Sequence, residues 1–387
     1  MKNLRKICVV TGTRADYGLL TPLLHEIKND KDLELQLVVT GMHLSPEFGS
    51  TYKEIEKEFK IDRKIEILLS SDSSVGVSKA MGLANISFSE TFQESKPDIL
   101  VVLGDRFEIF SAVSTAMILR IPIAHLSGGE LTEGAIDDSI RHSITKMSHL
   151  HFVATQEYKN RVIQLGENPN RVYNYGEAGL DNIINLKLLS KGNFEKSINF
   201  ILDKQSLLVT YHPTTLDVIE KVEEDFKNIL EVLDELENTS LIFTKANSDE
   251  GGRLINNMID NYIKTSSKKA IAFTSLGQLR YLSALQYVDA VFGNTSSGIV
   301  EAPSFKIGTI NIGTRQKGRV QALSVINSTN EKQSIQNAIG KLYSDEFKSQ
   351  LKGVINPYGK GKSSYNTKEV LKNIDLENII RKSFWDM

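Results

Sequence analysis

The chain has 387 residues, too many for one hydrophobic core and a comfortable length for two α/β domains. With 40% hydrophobic and 24% charged residues it has an ordinary globular composition, which excludes global disorder. A formal net charge of -2 excludes a general nucleic-acid binder but leaves room for a local basic pocket that takes phosphate.

The first apolar run, Ile7–Thr11, follows a few basic residues and enters a glycine-containing turn. It is too short for a signal sequence and reads as a strand. It carries the chain's one cysteine, Cys8, which has no partner for an internal disulfide and reads as a buried structural thiol of a reducing compartment. No stretch holds the roughly 18 consecutive apolar residues that span a bilayer, so a soluble, cytoplasmic protein is expected, with no membrane partner.

Further runs rich in Val, Ile and Leu follow at Leu35–Thr40, Ile99–Leu103, Ile123–Leu126, Leu150–Val153 and Val172–Tyr175. Their lack of polar alternation marks strands buried on both faces, as in a parallel sheet. Helical patterns lie between them at Leu19–Lys28, Val77–Glu94, Phe107–Leu119, Ser139–Met147 and Gln156–Leu165. The rhythm weakens around Leu186–Phe200 and restarts with strands at Leu207–Tyr211, Ser240–Phe243, Ala270–Phe273, Ala290–Phe292 and Thr309–Ile312. Helices are expected at Val218–Leu236, Gly252–Lys264, Leu276–Gln286 and Glu331–Tyr343, and the tail Lys368–Phe384 reads as helical. The expectation is α/β: two doubly wound domains at 1–186 and 201–365, a linker at 187–200, and a helical tail at 366–387.

In open α/β sheets ligands bind beyond the carboxyl ends of strands, and the polar motifs of this chain fall there. After the first strand comes Gly12-Thr13-Arg14-Ala15-Asp16-Tyr17-Gly18, a turn feeding a helix, where free N–H groups and Arg14 suit an anion. It is not the GxGxxG of a dinucleotide site. Gly104-Asp105-Arg106-Phe107-Glu108 places an acid beside a base, with Asp105 either a proton acceptor or a plain helix cap. The stretch from His125-Leu126-Ser127-Gly128-Gly129-Glu130 to Asp137-Asp138-Ser139-Ile140-Arg141-His142 is the densest. Asp138 shares a helix face with Arg141 and His142, and Asp137 or Asp138 can cap that helix. His125 and His142 lack metal-ligand spacing, so no metal is assigned.

In the second half, Tyr211-His212-Pro213-Thr214-Thr215 follows a strand, with His212 either a phosphate or proton-transfer group or a structural histidine. Gly293-Asn294-Thr295-Ser296-Ser297-Gly298, with Glu301 one turn on, offers a second phosphate cradle and a ribose acceptor. Asn311-Ile312-Gly313-Thr314-Arg315-Gln316-Lys317-Gly318-Arg319 adds cations.

Taken together and in this order, these motifs resemble the hydrolysing UDP-N-acetylglucosamine 2-epimerases of sialic-acid biosynthesis, over most of the chain. The resemblance implies a GT-B-like architecture of two Rossmann-like domains around a cleft, a homo-oligomer (dimer or tetramer), and no cofactor. It implies conversion of UDP-N-acetylglucosamine and water to N-acetylmannosamine and UDP. It places Asp105, Glu130, Asp137, Asp138 and His212 among the catalytic groups, with Asp105 as leading base. It places Arg14, Asp16, Arg106, Arg141, His142, Tyr281, Asn294, Thr295, Ser296, Glu301 and Arg315 around the UDP-sugar, Tyr281 against uracil. Some relatives, the mammalian type among them, carry a glutamate where this chain has Ser127; Glu130 is read as its replacement. The alternatives are the same reaction on UDP-2,4-diacetamido-2,4,6-trideoxyglucose, a non-hydrolysing epimerase, a retaining GT-B glycosyltransferase, and a non-catalytic nucleotide-sugar sensor.

Overall fold

In the computed structural model the buried Val/Ile/Leu runs all become parallel strands. The structure describes residues 4–69, 73–132, 136–213, 219–246 and 251–387. The motif residues Glu133, Gly134, Ala135, Thr214 and Thr215, and the expected helix start Val218, lie outside them.

The chain divides into two units. Among the described residues, the sheet of the first holds β1 (Arg5–Thr11), β2 (Leu33–Thr40), β3 (Arg63–Ile65), β4 (Ile99–Leu103), β5 (Ile123–Leu126), β6 (Leu150–Val153) and β7 (Val172–Asn174), in the order 3-2-1-4-5-6-7. The sheet of the second holds β8 (Gln205–Thr210), β9 (Thr239–Thr244), β10 (Ala270–Phe273), β11 (Ala290–Gly293), β12 (Gly308–Ile312) and β13 (Val325–Ser328), in the order 10-9-8-11-12-13. Both are Rossmann-like, and each reverses direction once: between β1 and β4 in the first unit, and between β8 and β11 in the second. The two strands that hydropathy misses, β3 and β13, are edge strands with exposed residues, so neither reads as a doubly buried run.

Side-chain alternation along β1 shows how the first core is built. Ile7 and Val9 pack on one face with Leu20, Leu23 and Ile27 of the helix Arg14–Lys28. Cys8 and Val10 pack on the other with Phe88, Phe92 and Val113. Each such side chain contributes about 1.5–3 kcal/mol by leaving water. Burial pushes the Cys8 thiol well above its usual range, so it is an inert core residue.

Three boundaries differ from the sequence reading. The helix after β1 begins at Arg14, because Thr13 and Asp16 form a capping box at its start. Residues 187–200 are not a linker: the helix Lys191–Ile198 buries Phe194 and Ile198 in the core of the second unit. Two apolar residues in a polar octapeptide are a weak helical signal, which explains the misreading. The first unit instead ends at Asn182 and resumes at Tyr358.

The tail is helical only over Ser363–Asn373. Arg5 Nη1 donates to the carbonyls of Leu371 and Ile374, at 2.8 and 2.9 Å, and so satisfies the helix end. Beyond it the chain runs over the first unit, where Lys382 Nζ donates to the carbonyls of Lys146 and Ser148 and the Trp385 N–H donates to Gly166 O. No helix among the described residues is long and apolar enough to cross a membrane.

Candidate active site

The loops after β1 and β4 meet where the first sheet reverses. Asp16 is 6% exposed and its carboxylate is taken up locally. Oδ2 accepts from the Gly12 N–H at 2.9 Å and from Thr11 Oγ1 at 3.1 Å, and Oδ1 accepts from the Thr13 N–H at 2.7 Å and from the Thr13 hydroxyl. Asp16 therefore builds the turn and has no oxygen to spare for the ligand expected from sequence. Arg14, at the first helical position, is exposed.

Across the turn lies Glu108, 1% exposed, a residue that the sequence reading passed over. A Cβ on Gly12 would lie 2.4 Å from Glu108 Oε1, so only glycine lets this carboxylate approach the turn. Arg106 Nε donates to Oε1 at 2.7 Å, which fixes the guanidinium at the end of β4. Arg106 itself is the N-cap residue of the helix Phe107–Ile118, so Asp105 is not its cap and is free for another use.

Asp105 is paired with Arg141, whose guanidinium also donates to Glu130 O at 3.0 Å and lies 3.9 Å from Asp138. The Arg141 side chain is only 5% exposed. The sequence reading gave Arg141 to the substrate; the structure gives it to acids of its own unit, because a buried cation requires paired charge. Asp137 and Asp138 sit in the first turn of the helix Ile136–Met147, inside the helix rather than at its cap, where they complement its dipole. Burial raises the Asp137 pKa, and the neighbouring Asp105 charge raises it further. His142 Nε2 is 3.5 Å from Asp138 Oδ2, while its Nδ1 is buried without a hydrogen-bond partner among the described residues; burial holds its pKa below the usual range. Asp105, Asp137, Asp138, Arg141, His142 and the backbone of the 5%-exposed Glu130 thus form one cluster.

Beside it, His125 Nε2 donates to Gly104 O at 2.8 Å and orients the turn that carries Asp105. Burial drops its pKa to about 3, so it is a neutral structural histidine. Ser127, at the end of β5, takes the left-handed φ of 61°, and its hydroxyl donates to Glu177 Oε2 at 3.2 Å. Sequence reasoning missed Glu177, because fifty residues separate the pair and no short motif joins them.

In the second unit the motifs after β8 and β11 also converge where the sheet reverses. The His212 N–H donates to Asn294 Oδ1, and Asn294 Nδ2 donates to His212 O, both at 2.7 Å. The Asn294 carbonyl accepts from Arg315 Nη1 at 3.2 Å and from Gln316 Nε2 at 2.8 Å. Gly293 is obligatory here: at φ 128° its Cβ would lie 2.0 Å from Thr210 O. Burial, reinforced by the Arg315 charge, lowers the His212 pKa to about 3, so its imidazole is neutral. Thr295 caps the short helix Ser296–Val300, on which Ser296 is exposed. Tyr281 is half-buried with its hydroxyl turned inward near the Ser297 hydroxyl and the Glu301 carboxyl. Burial raises the pKa of Glu301, and the nearby Ser297 hydroxyl partly offsets this.

Two Rossmann-like sheets, each with polar loops at its reversal point, match a known family model over residues 25–372, that of UDP-N-acetylglucosamine 2-epimerase. The chain belongs to the UDP-N-acetylglucosamine 2-epimerase family. This epimerase is 52% identical to the Campylobacter jejuni GDP/UDP-N,N'-diacetylbacillosamine 2-epimerase (hydrolyzing), over 99% of both chains. It is 35% identical to a Legionella pneumophila UDP-N,N'-diacetylbacillosamine 2-epimerase (hydrolyzing), covering 97% of this chain and 98% of that one. It is 34% identical to a Neisseria meningitidis UDP-N-acetylglucosamine 2-epimerase over 87% of each. Its fold matches the crystal structure of UDP-GlcNAc 2-epimerase from Neisseria meningitidis bound to UDP-GlcNAc with a TM-score of 0.83, at 19% identity, covering 95% of this chain and 99% of that one. The epimerase fold is GT-B-like, and it extends at a TM-score of 0.58 to Acinetobacter baumannii MurG.

Proposed function

We propose that this epimerase hydrolyses a UDP-linked 2-acetamido sugar with inversion at C2, and that UDP-2,4-diacetamido-2,4,6-trideoxyglucose is its preferred donor. The observation that carries the reaction is the first unit's acid cluster: Asp105 paired with Arg141 beside Asp137, whose environment favours its protonated form. A diphosphate-binding protein without chemistry has no use for carboxylates gathered at a strand end, whereas a reaction with two proton transfers needs more than one.

In this reading Asp105 takes the C2 proton. The C2–H electron pair forms the C1=C2 double bond as the C1–O bond breaks, and UDP leaves with the C1–O pair. Water then bonds to C1, and the double-bond pair takes a proton at C2 from the other face, supplied by Asp137. Asp138 tunes the cluster through Arg141 and His142. Arg14 and Arg106, with His212, Arg315 and the hydroxyls of Thr295 and Ser296, bind the diphosphate; Glu301 binds the ribose and the Tyr281 ring the base. Neutral His212 is suited to donate a hydrogen bond to phosphate or leaving-group oxygen.

The preference for the diacetamido sugar is supported by similarity to the Campylobacter and Legionella enzymes at 52% and 35% identity. UDP-N-acetylglucosamine is the second reading, supported by the 34% identity to the Neisseria enzyme. A homo-oligomer belongs to the same proposal. Exposed Val75, Ile86 and Ile118, on the paired helices Ser74–Ser95 and Phe107–Ile118, supply apolar surface for it. A cytoplasmic location belongs to it as well.

The deciding experiment incubates both donors in heavy water and follows them by proton NMR. The expected result is free UDP, a manno-configured free sugar deuterated at C2, and a higher kcat/KM for the diacetamido donor. Equal or higher kcat/KM for UDP-N-acetylglucosamine reverses the donor preference. Release of UDP-linked product, or dependence on a sugar acceptor, overturns the reaction itself.

A further inference from the structure

We infer that Glu177, acting through the Ser127 hydroxyl, is the base that activates water in the second half of the reaction. The inference rests on the reaction proposed above and adds a residue to it.

Glu177 is 5% exposed. It occupies the N-cap position of the turn Ala178–Leu180, yet its side chain makes no capping bond there. The usual structural use of an acid in that place is therefore not the one it serves. The carboxylate instead reaches the end of β5, where Ser127 Oγ donates to Oε2 at 3.2 Å and lies 3.5 Å from Oε1. The main chain fixes both partners. The Glu177 N–H donates to Tyr358 O at 2.8 Å, and the Ser127 N–H donates to Phe152 O at 2.9 Å. Ser127 also holds a left-handed backbone, uncommon for a residue with a side chain, and this conformation accompanies its approach to the acid.

The pair sits next to the acid cluster. β4 and β5 are neighbouring strands, and the Gly104 N–H donates to Leu126 O at 3.1 Å. Asp105 and Ser127 are the residues that immediately follow these two bonded positions, at the carboxyl end of the same sheet. A serine hydroxyl bonded to a buried carboxylate can accept a proton from water while passing its own to the acid.

Elimination leaves Asp105 protonated and a C1=C2 double bond. Water oxygen then bonds to C1, its proton passes to Ser127 Oγ, and the serine proton passes to Glu177. The double-bond pair takes the Asp137 proton at C2. Asp105 and Glu177 end neutral and Asp137 ionised; before the next turnover Asp105 and Glu177 each give a proton to solvent and Asp137 takes one back, a net release of one proton alongside UDP. Three carboxyl groups thereby have separate tasks, and Glu130 needs none of them.

The test is Glu177→Gln with the better of the two donors, read by proton NMR for UDP, unsaturated 2-acetamido sugar and saturated manno sugar. Elimination should persist, so UDP is released together with the unsaturated sugar, while formation of the saturated sugar falls by about 10²-fold or more. Ser127→Ala, which truncates one oxygen, should shift products the same way by a smaller factor. It decides the question by the same readout if Glu177→Gln does not fold. Saturated sugar formed at the wild-type rate by the folded variant overturns the role of Glu177 and leaves the reaction intact. So does loss of both products together by a variant that still binds UDP in calorimetry. Wild-type enzyme that releases no UDP from either donor overturns the parent reading instead.

Discussion

His212 and Asn294 clasp one another by two hydrogen bonds of 2.7 Å, backbone to side chain in each direction, across the point where the second sheet reverses. The pair welds the loop after β8 to the loop after β11, and the Asn294 carbonyl then receives Arg315 and Gln316. Asn294→Ala strands a buried N–H and a buried C=O of His212. It is expected to cost on the order of 2 kcal/mol in urea unfolding. A loss well below 1 kcal/mol would show that water replaces the amide.

Arg315 is the cation attached to this clasp. Arg315→Ala should weaken UDP binding by about 10-fold or more, the worth of one charge-assisted hydrogen bond. Calorimetry with UDP alone measures it, and unchanged affinity rejects Arg315 as a phosphate ligand. The Asn294 carbonyl keeps Gln316, so folding should be nearly unaffected.

Asp105 and Arg141 are linked in stability but differ in what they do for turnover. Asp105→Asn leaves the buried guanidinium only Asp138, at 3.9 Å, as a charged partner, so it should lose about 1–3 kcal/mol of stability, while turnover and C2 deuterium exchange in the folded variant fall by about 10²–10⁴-fold. Arg141→Ala leaves Asp105 without its buried counter-charge and should destabilise the fold by about 3 kcal/mol. An Asp105→Asn variant that exchanges C2 deuterium at the wild-type rate removes Asp105 as the base.

Acidification tests the buried histidines. His125 and His212 have folded pKa values lowered to about 3, and His149 to about 4, each chiefly by burial. Their unfolded values are near about 6.5, so the unfolded chain binds more protons between these limits. Stability is therefore whole above that unfolded value and falls as pH drops below it, by at most about 1.4 kcal/mol per pH unit for each histidine. Glu167, lowered to about 2, adds its own loss only at more acidic pH, and Asp137, raised by burial, works against the trend. Urea midpoints at pH 7.5 and 5 should show a drop of several kcal/mol, reduced in His212→Gln. A flat profile would mean that these histidines are hydrated in solution.

The polar loops were readable from sequence because each follows a doubly buried strand, and strand ends are where α/β sheets keep their chemistry. Residue types alone did not say which side chains face outward. Asp16 looks like a contact to the UDP-sugar until four donors of its own turn are found on it. Arg141 looks like a phosphate clamp until Asp105 lies against it. Glu108 and Glu177 were missed for the reverse reason: one is revealed by the missing Cβ of Gly12, the other by a partner fifty residues away. The helix Lys191–Ile198 is invisible without the core that Phe194 enters.

The return of the chain to its first unit has a consequence in time. Arg5 closes the end of the helix Ser363–Asn373, and the second unit is drawn almost wholly from residues 183–357 between them. On the ribosome the later-numbered unit can mature as a continuous stretch, while the earlier one waits for a helix that emerges after it. Nascent chains arrested before residue 363 should therefore protect the downstream sheet from protease sooner than the upstream one, so birth order and folding order are inverted.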